Sequence, residues 1–289
     1  MNTFDFPALY TAADDASNKA QKKLLILSAS NSILLILGAI FSLFRNTSQC
    51  LTVLGALSFL ASLFILIYLK YDALQDKWYQ ARALAESVKT ASWRLIMNAE
   101  PFNKNTENEN LETFQKLLTE LLHQNQNIGN YLAGEFSEGE QISPTMLDHL
   151  RSSYDEKNSL YLNNRIENQK KWYAKKSGDN RSSSKYWFIA LCLVYACAIV
   201  VLFVQTANPK LQYLPVDILA VVAGSIIGWM QIKRYDELAS SYGVTAHEIG
   251  IIKSRFSAVK TTEHLSNFVS DAENAFSREH TLWAARRDH

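Results

Sequence analysis

The chain has 289 residues, 29 of them Lys or Arg and 28 Asp or Glu, for a formal net charge of +1, and its mean hydropathy is −0.10. That balance offers no electrostatic footprint for a nucleic acid polymer, and the three cysteines (Cys50, Cys192, Cys197) are too few and too scattered for a disulfide framework or a metal cluster. The bulk values average over two unlike materials, polar tails and loops on one side and four long apolar runs on the other.

The runs occupy residues 24–44, 51–69, 187–204 and 214–232; none contains Lys or Arg, and Asp217 is their only acid. A helix needs about 20 apolar residues to cross a bilayer, whereas a buried core helix usually has about 10–14. A signal peptide would need a cleavage site soon after the first run. Here Arg45-Asn46-Thr47-Ser48-Gln49-Cys50 leads straight into the second. The sequence predicts an all-α integral membrane protein with four transmembrane helices, arranged as two hairpins. Basic residues near span ends collect on the cytoplasmic side. The hairpin tips carry only Arg45 and Lys210, while Lys19, Lys22, Lys23, Lys70, Lys77, Arg82, Lys170, Lys171, Lys175, Lys176, Arg181, Lys185, Lys233 and Arg234 lie at the opposite ends. Both termini and the central segment are therefore expected in the cytoplasm, with the chain a multi-pass protein of the inner (plasma) membrane.

The two hairpins read as copies of one unit. Sliding the chain by 164 positions lays the first pair of runs on the second and Lys70-Tyr71-Asp72 on Arg234-Tyr235-Asp236. Leu74 then meets Leu238, Trp78 meets Tyr242, Val88 meets Ile252 and Lys89 meets Lys253. An even number of spans separates the copies, so they are parallel repeats, unlike the inverted repeats of many secondary transporters. The expected organisation is a first unit over 1–100, a cytosolic insert over 101–143 and a second unit over 144–289.

Long helices are predicted to run out of the spans into the cytosol. Residues 56–100 contain neither Gly nor Pro, so the second span and its extension should form one helix about 70 Å long, ended by Pro101. Arg82, Glu86 and Lys89 form a charge ladder on it. In the insert, 103–110 reads as a polar loop and 111–122 as a short amphipathic helix. Ser143-Pro144 is an N-cap followed by Pro at the first helical position, and helix is expected from there to Lys176, with a kink at Ser177-Gly178-Asp179-Asn180. At the C-terminus Leu265, Phe268, Val269, Ala272, Phe276, Leu282 and Trp283 recur at helical spacing. Glu279 and Arg286 fall on or beside that stripe, and a charge on a packing face needs a partner. The expectation is that this helix packs on the one after the second span, with Glu279 near Arg82, Lys89 or Arg94.

Within the spans, Ser28, Asn31, Ser32 and Ser42 share one face of the first helix, and Asp217 and Gln231 one face of the fourth; these are the candidate pore-lining residues. Gly55, Ser58 and Ser62 in the second span, and the Gly224–Gly228 pair in the fourth, are candidate helix-packing positions, because small residues let helices approach closely. Asp217 fits either a helix-start role beside Pro215 or a ring of carboxylates from several subunits at a pore mouth that favours cations. No phosphate loop, nucleophile elbow or zinc motif is present. The six histidines lack ligand spacing. Neither an enzyme nor a bound cofactor or metal is expected.

Two segments carry a resemblance. One is Lys77-Trp78-Tyr79-Gln80-Ala81-Arg82-Ala83-Leu84-Ala85-Glu86-Ser87-Val88-Lys89, continuing through Trp93-Arg94 to Glu100-Pro101-Phe102. The other is Phe268-Val269-Ser270-Asp271-Ala272-Glu273-Asn274, continuing through Ser277-Arg278-Glu279-His280 to Leu282-Trp283-Ala284-Ala285-Arg286-Arg287. They resemble tandem SLATT-type proteins, two-span effector domains of bacterial conflict systems. The resemblance implies a membrane effector of antiviral or abortive-infection defence, a pore-former that acts with a nucleotide second messenger or a partner sensor protein. Arg82, Glu86, Lys89, Trp93, Arg94, Glu279, Trp283 and Arg286 are then its structural motif residues. The expected function is an oligomeric pore in the lipid bilayer, made by a homo-oligomer because one chain has too little polar surface to line a wide channel. The alternative is a non-conducting scaffold that recruits a cytosolic partner through its helical extensions.

Overall fold

The computed structural model describes residues 4–126, 129, 132, 139–208 and 215–285, with side chains through Phe276 at the C-terminal end. No strand occurs among the described residues. The helices in chain order are α1 (Ala8–Leu43), α2 (Gln49–Asp72), α3 (Leu74–Ile96), α4 (Glu107–Gln124), α5 (Pro144–Leu150), α6 (Tyr154–Leu160), a π-helical segment (Tyr161–Glu167), α7 (Asn168–Ala207), α8 (Val216–Lys233), α9 (Tyr235–Arg255) and α10 (Thr262–Ala285).

Four helical stretches contain windows long and apolar enough to cross a membrane: Ala8–Leu43, Gln49–Ile96, Tyr154–Ala207 and Val216–Ala258. At most 11% of any window is buried within the chain, so most of these apolar side chains need lipid rather than protein around them. The chain is an all-α, multi-pass membrane protein.

Local chemistry sets the helix ends. Ser48 caps α2, its Oγ accepting from the Leu51 N–H at 3.5 Å. The helix predicted to run unbroken through residues 56–100 is instead two. Ala73 stands in the left-handed region (φ 46°) between α2 and α3. Arg234 (φ 49°) does the same between α8 and α9. A left-handed L-residue costs about 1–2 kcal/mol, and absence of Gly and Pro does not reveal such a junction. At Arg234 the side chain is clamped on Glu237, with Nη2 2.5 Å from Oε1 and Nε 2.6 Å from Oε2. Downstream, α3 ends at Ile96 and is followed by Asn98 in the left-handed region (φ 52°). The Ala99 N–H bonds the Arg94 carbonyl at 2.9 Å and the Asn98 N–H the Leu95 carbonyl at 3.0 Å, a Schellman closure for which Asn is suited.

Three further expectations are corrected. The insert helix begins at Glu107, within the stretch read as polar loop, because Thr106 Oγ caps the Glu109 N–H at 3.3 Å. The segment from Ser143 to Lys176 is not one helix: Ser153 and Glu156 form a capping box that starts α6 afresh, and the π segment follows. Ser177 to Asn180 do not kink the chain either, since α7 passes through them as regular helix. Ser177 Oγ donates to the Ala239 carbonyl at 2.7 Å.

The chain forms two compact units. One comprises Met1–Gln21, Leu74–Ala174 and Gly243–His289, and the other Lys22–Ala73 and Lys175–Tyr242. The first has a packed aromatic and aliphatic core. Trp93 meets Phe4 and Tyr161 edge-on at centroid distances of 5.1 and 5.8 Å, and Leu84, Leu95, Ile96, Phe102 and Phe114 are buried with it. The second holds the four apolar runs.

Candidate functional site

In the four-span unit, the polar stripe of the first hairpin turns inward. Ser28 is buried, and Asn31 Oδ1 accepts from Ser62 Oγ at 2.7 Å. Ser58 is buried and donates to its own helix at the Leu54 carbonyl, 2.9 Å away. At Gly55 α2 packs closely on α1: a Cβ there would stand 3.3 Å from Phe41 Cβ and 3.5 Å from the Gly38 carbonyl oxygen. Gly38 is as tight, with a Cβ placed 2.9 Å from the Phe59 ring. Ser32 is half-buried and Ser42 exposed.

The fourth span differs. Asp217, Ala220, Gly224, Ile227 and Gln231 are exposed, and they recur every three or four residues on one face of α8. A Cβ at Gly224 or Gly228 would meet nothing within 4 Å. This stripe, small or polar but for Ile227, thus lacks a covering helix among the described residues. The hairpin tip at Lys210, and Leu214, lie outside the described residues.

The other unit is organised by buried charge. Arg82 bridges Asp14 of α1 at 3.1 Å and Glu86 at 2.6 Å, and Lys89 approaches Glu86 at 3.7 Å, so the predicted ladder forms. Arg94 Nη2 donates to Asn274 of α10 at 2.7 Å, which places α10 on α3 as expected. The acid at that interface is Glu273, fully buried. It accepts from Arg165 Nε at 2.8 Å, Arg165 Nη2 at 2.6 Å, Tyr161 Oη at 3.0 Å and Thr90 Oγ1 at 3.0 Å. Burial pulls the Arg165 guanidinium down, and the Glu273 carboxylate more than reverses that pull. Burial, then the Glu273 charge, holds the Tyr161 phenol well above its ordinary range. Tyr10 is pushed up to about 12 by burial and by the charges of Asp14 and Glu86. Burial lowers Lys89 despite Glu86.

The side chains of Glu279 and Trp283 lie outside the described residues, as does Arg286. The sequence reading missed Arg165 and Glu273. A signal was present: Glu273 sits in the apolar series Val269, Ala272, Phe276, and Tyr161 and Arg165 are four residues apart. The π segment supplies both Tyr161 and Arg165, and the Arg165 guanidinium lies 4.9 Å from the Phe276 ring centre. π-Turns often mark functional positions.

The fold defines a class, a helical membrane protein of four spans joined to a charge-knit helical unit. Residues 7–158 match the SMODS and SLOG-associating 2TM effector domain 3 (SLATT_3), and residues 161–283 match the SMODS and SLOG-associating 2TM effector domain 1 (SLATT_1). The chain belongs to the SLATT family, as a tandem of two such domains. No curated protein and no solved structure matches it. SLATT domains are two-span effector domains associated with antiviral signalling.

Proposed function

We propose that this chain is a membrane effector that assembles into a homo-oligomer and permeabilises the inner membrane during antiviral, abortive-infection signalling. The observation that carries the reading is the open α8 face. Asp217 and Gln231 are exposed on a span whose face on that side no helix covers among the described residues. Polar and acidic side chains in a span normally face a bundle interior or a water-filled path. Packing of Gly224 and Gly228 against a neighbouring copy would satisfy this, with Asp217 at the mouth favouring cations. The first hairpin contributes less to a conducting surface, because Asn31 and Ser62 bond each other. The Lys and Arg asymmetry supports cytoplasmic termini. The division into duplicated units over 1–100 and 144–289, with an insert over 101–143, is part of this reading and rests on the 164-residue offset; the family matches, 7–158 and 161–283, divide the chain near residue 160 instead. A nucleotide second messenger or a partner sensor protein is the proposed trigger. No enzymatic step is assigned to the chain.

One observation favours a second reading, the non-conducting scaffold. Val244 and Ile251, seven residues apart on α9, are 56% and 59% exposed, a face that a cytosolic partner could cover. Reversal potentials in liposomes under asymmetric salt separate the two. The pore reading expects cation preference in the wild type that falls in Asp217→Asn, with Leu219→Ala as control. An assembled, triggered protein that passes no ions leaves the scaffold.

A further inference from the structure

We propose that the basic end of the four-span unit is a binding site for anionic lipid headgroups, carried chiefly by Lys175, Arg181 and Lys185 on α7. The proposal requires the apolar runs to lie in a bilayer and is independent of whether the protein conducts.

All four runs terminate in basic residues at one end: Lys22 and Lys23 before the first, Lys70 after the second, Lys185 before the third, Lys233 and Arg234 after the fourth. Two of these are answered inside the unit, Lys23 by Asp72 at 3.3 Å and Arg234 by Glu237. Lys22, Lys70, Lys175, Arg181 and Lys185 are exposed, and no salt bridge to any of them is seen among the described residues.

On α7 the imbalance has a structural cost. From Lys175 to Lys185 the only acid is Asp179. Arg181 and Lys185 are a like-charge pair at i,i+4, which destabilises a helix. At 3.6 residues per turn, Lys175, Arg181 and Lys185 fall within about 120° of one another. A helix that keeps this stripe is stabilised by an anion lying along it.

Depth decides which anion. With a rise of 1.5 Å per residue, Lys185, Arg181 and Lys175 lie roughly 3, 9 and 18 Å along the axis from the first residue of the third run, Trp187. The polar layer of a bilayer leaflet is about 5–8 Å thick, and the Debye length is about 8–10 Å. Lys185 and Arg181 therefore reach headgroup phosphates, and Lys175 lies within the field of the surface. Tyr186, 73% exposed beside them, is the aromatic type found at that interface. Basic clusters immediately beside a span recognise anionic lipids.

The test uses the full chain in neutral detergent micelles, titrated with phosphatidylglycerol or with phosphatidylcholine of the same acyl chains, and reads lipid retention by native mass spectrometry. Parallel arms add glycerol 3-phosphate or a short RNA. Phosphatidylglycerol should be retained in preference. At about fivefold per basic residue, the combined Lys175→Gln, Arg181→Gln, Lys185→Gln variant should lose roughly a hundredfold at low salt. Arg181→Lys should bind as the wild type does. If the triple variant does not fold, Lys175→Gln and Lys185→Gln singly should each lose about fivefold. Equal retention of the two lipids by the wild type, or undiminished retention of phosphatidylglycerol by folded variants, overturns the proposal. So does displacement of the lipid by glycerol 3-phosphate or RNA at matching concentration, which would assign the stripe to a soluble anion.

Discussion

Replacing Glu273 by Gln changes little in volume and removes one charge from a fully buried position. Glu273 and Arg165 are 0% and 2% exposed at their side chains. Gln retains one acceptor oxygen, but its amide must face two donors, either Thr90 Oγ1 with Arg165 Nη2 or Tyr161 Oη with Arg165 Nε. Two of the four hydrogen bonds are lost or reversed, and bonds to charged groups are worth about 1.5–3 kcal/mol each. That sum agrees with the 3–5 kcal/mol typical of breaking a buried ion pair. Arg165 is already demanding, since among the described residues its buried Nη1 has no hydrogen-bond partner. Set against a total stability of about 5–15 kcal/mol, the loss is large. At roughly 2–4 °C per kcal/mol it lowers the melting temperature by about 6–20 °C. The assay is thermal melting in neutral detergent, followed by tryptophan fluorescence, which Trp93 reports from beside Tyr161. An apolar pair, Glu273→Leu with Arg165→Met, made together with Tyr161→Phe and Thr90→Val so that no hydroxyl is left without its acceptor, should recover most of the loss, because paired hydrophobic replacements are often neutral. A shift under about 2 °C for Glu273→Gln, or no recovery in the apolar pair, would refute the claim that this ion pair knits α10 to α3 and the π segment.

Other predictions concern packing and titration. Gly55→Leu should prevent closure of the first hairpin, because even a Cβ at that site already meets Phe41 at 3.3 Å; loss of folded protein on size exclusion is the readout. Gly224→Leu should leave the monomer folded, since nothing lies within 4 Å of the added Cβ, and should abolish cross-linked oligomers. Asn31→Leu should cost about 0.6–2 kcal/mol through the lost Ser62 bond, measured by melting in micelles. Burial lowers Lys157 to about 8, so between pH 8 and about 10 the unfolded chain binds more protons and stability rises with pH. Lys157→Met should flatten that rise in melting scans against pH. Reporter fusions at Arg45 and Lys210 should read external and one at the C-terminus cytoplasmic.

Much of the architecture was legible because it rests on bulk properties of segments. Runs of about 20 apolar residues need no knowledge of tertiary contacts. The α10–α3 pairing followed from the apolar spacing at Leu265, Val269, Ala272 and Phe276. The left-handed junctions were hidden, since Ala73 and Arg234 belong to types that ordinarily continue a helix, and only tertiary packing forces them over. Their spacing also departs from the 164-residue offset by three residues, close to one helical turn. The capping box at Ser153 and Glu156 was readable and outweighed the helical composition around it. Glu273 was missed because an acid inside an apolar stripe shows that a partner is needed but not which one. Arg165 lies 108 residues away, on a π turn that no local pattern announced. On the spans, the small-polar stripes looked equivalent, and the structure separated them: Ser62 and Asn31 close on each other, whereas Gly224 and Asp217 stay open.

The most direct measurement is membrane potential in living bacteria, read with a voltage-sensitive dye during regulated expression under triggering conditions. Three proteins are compared: the wild type, a Gly224→Leu, Gly228→Leu variant, and Leu219→Ala. The account predicts depolarisation by the wild type and by Leu219→Ala, and an unchanged potential with the double-leucine variant at equal membrane abundance. Depolarisation by the double-leucine variant equal to the wild type, or an unchanged potential in cells holding assembled, triggered wild-type protein, would contradict it.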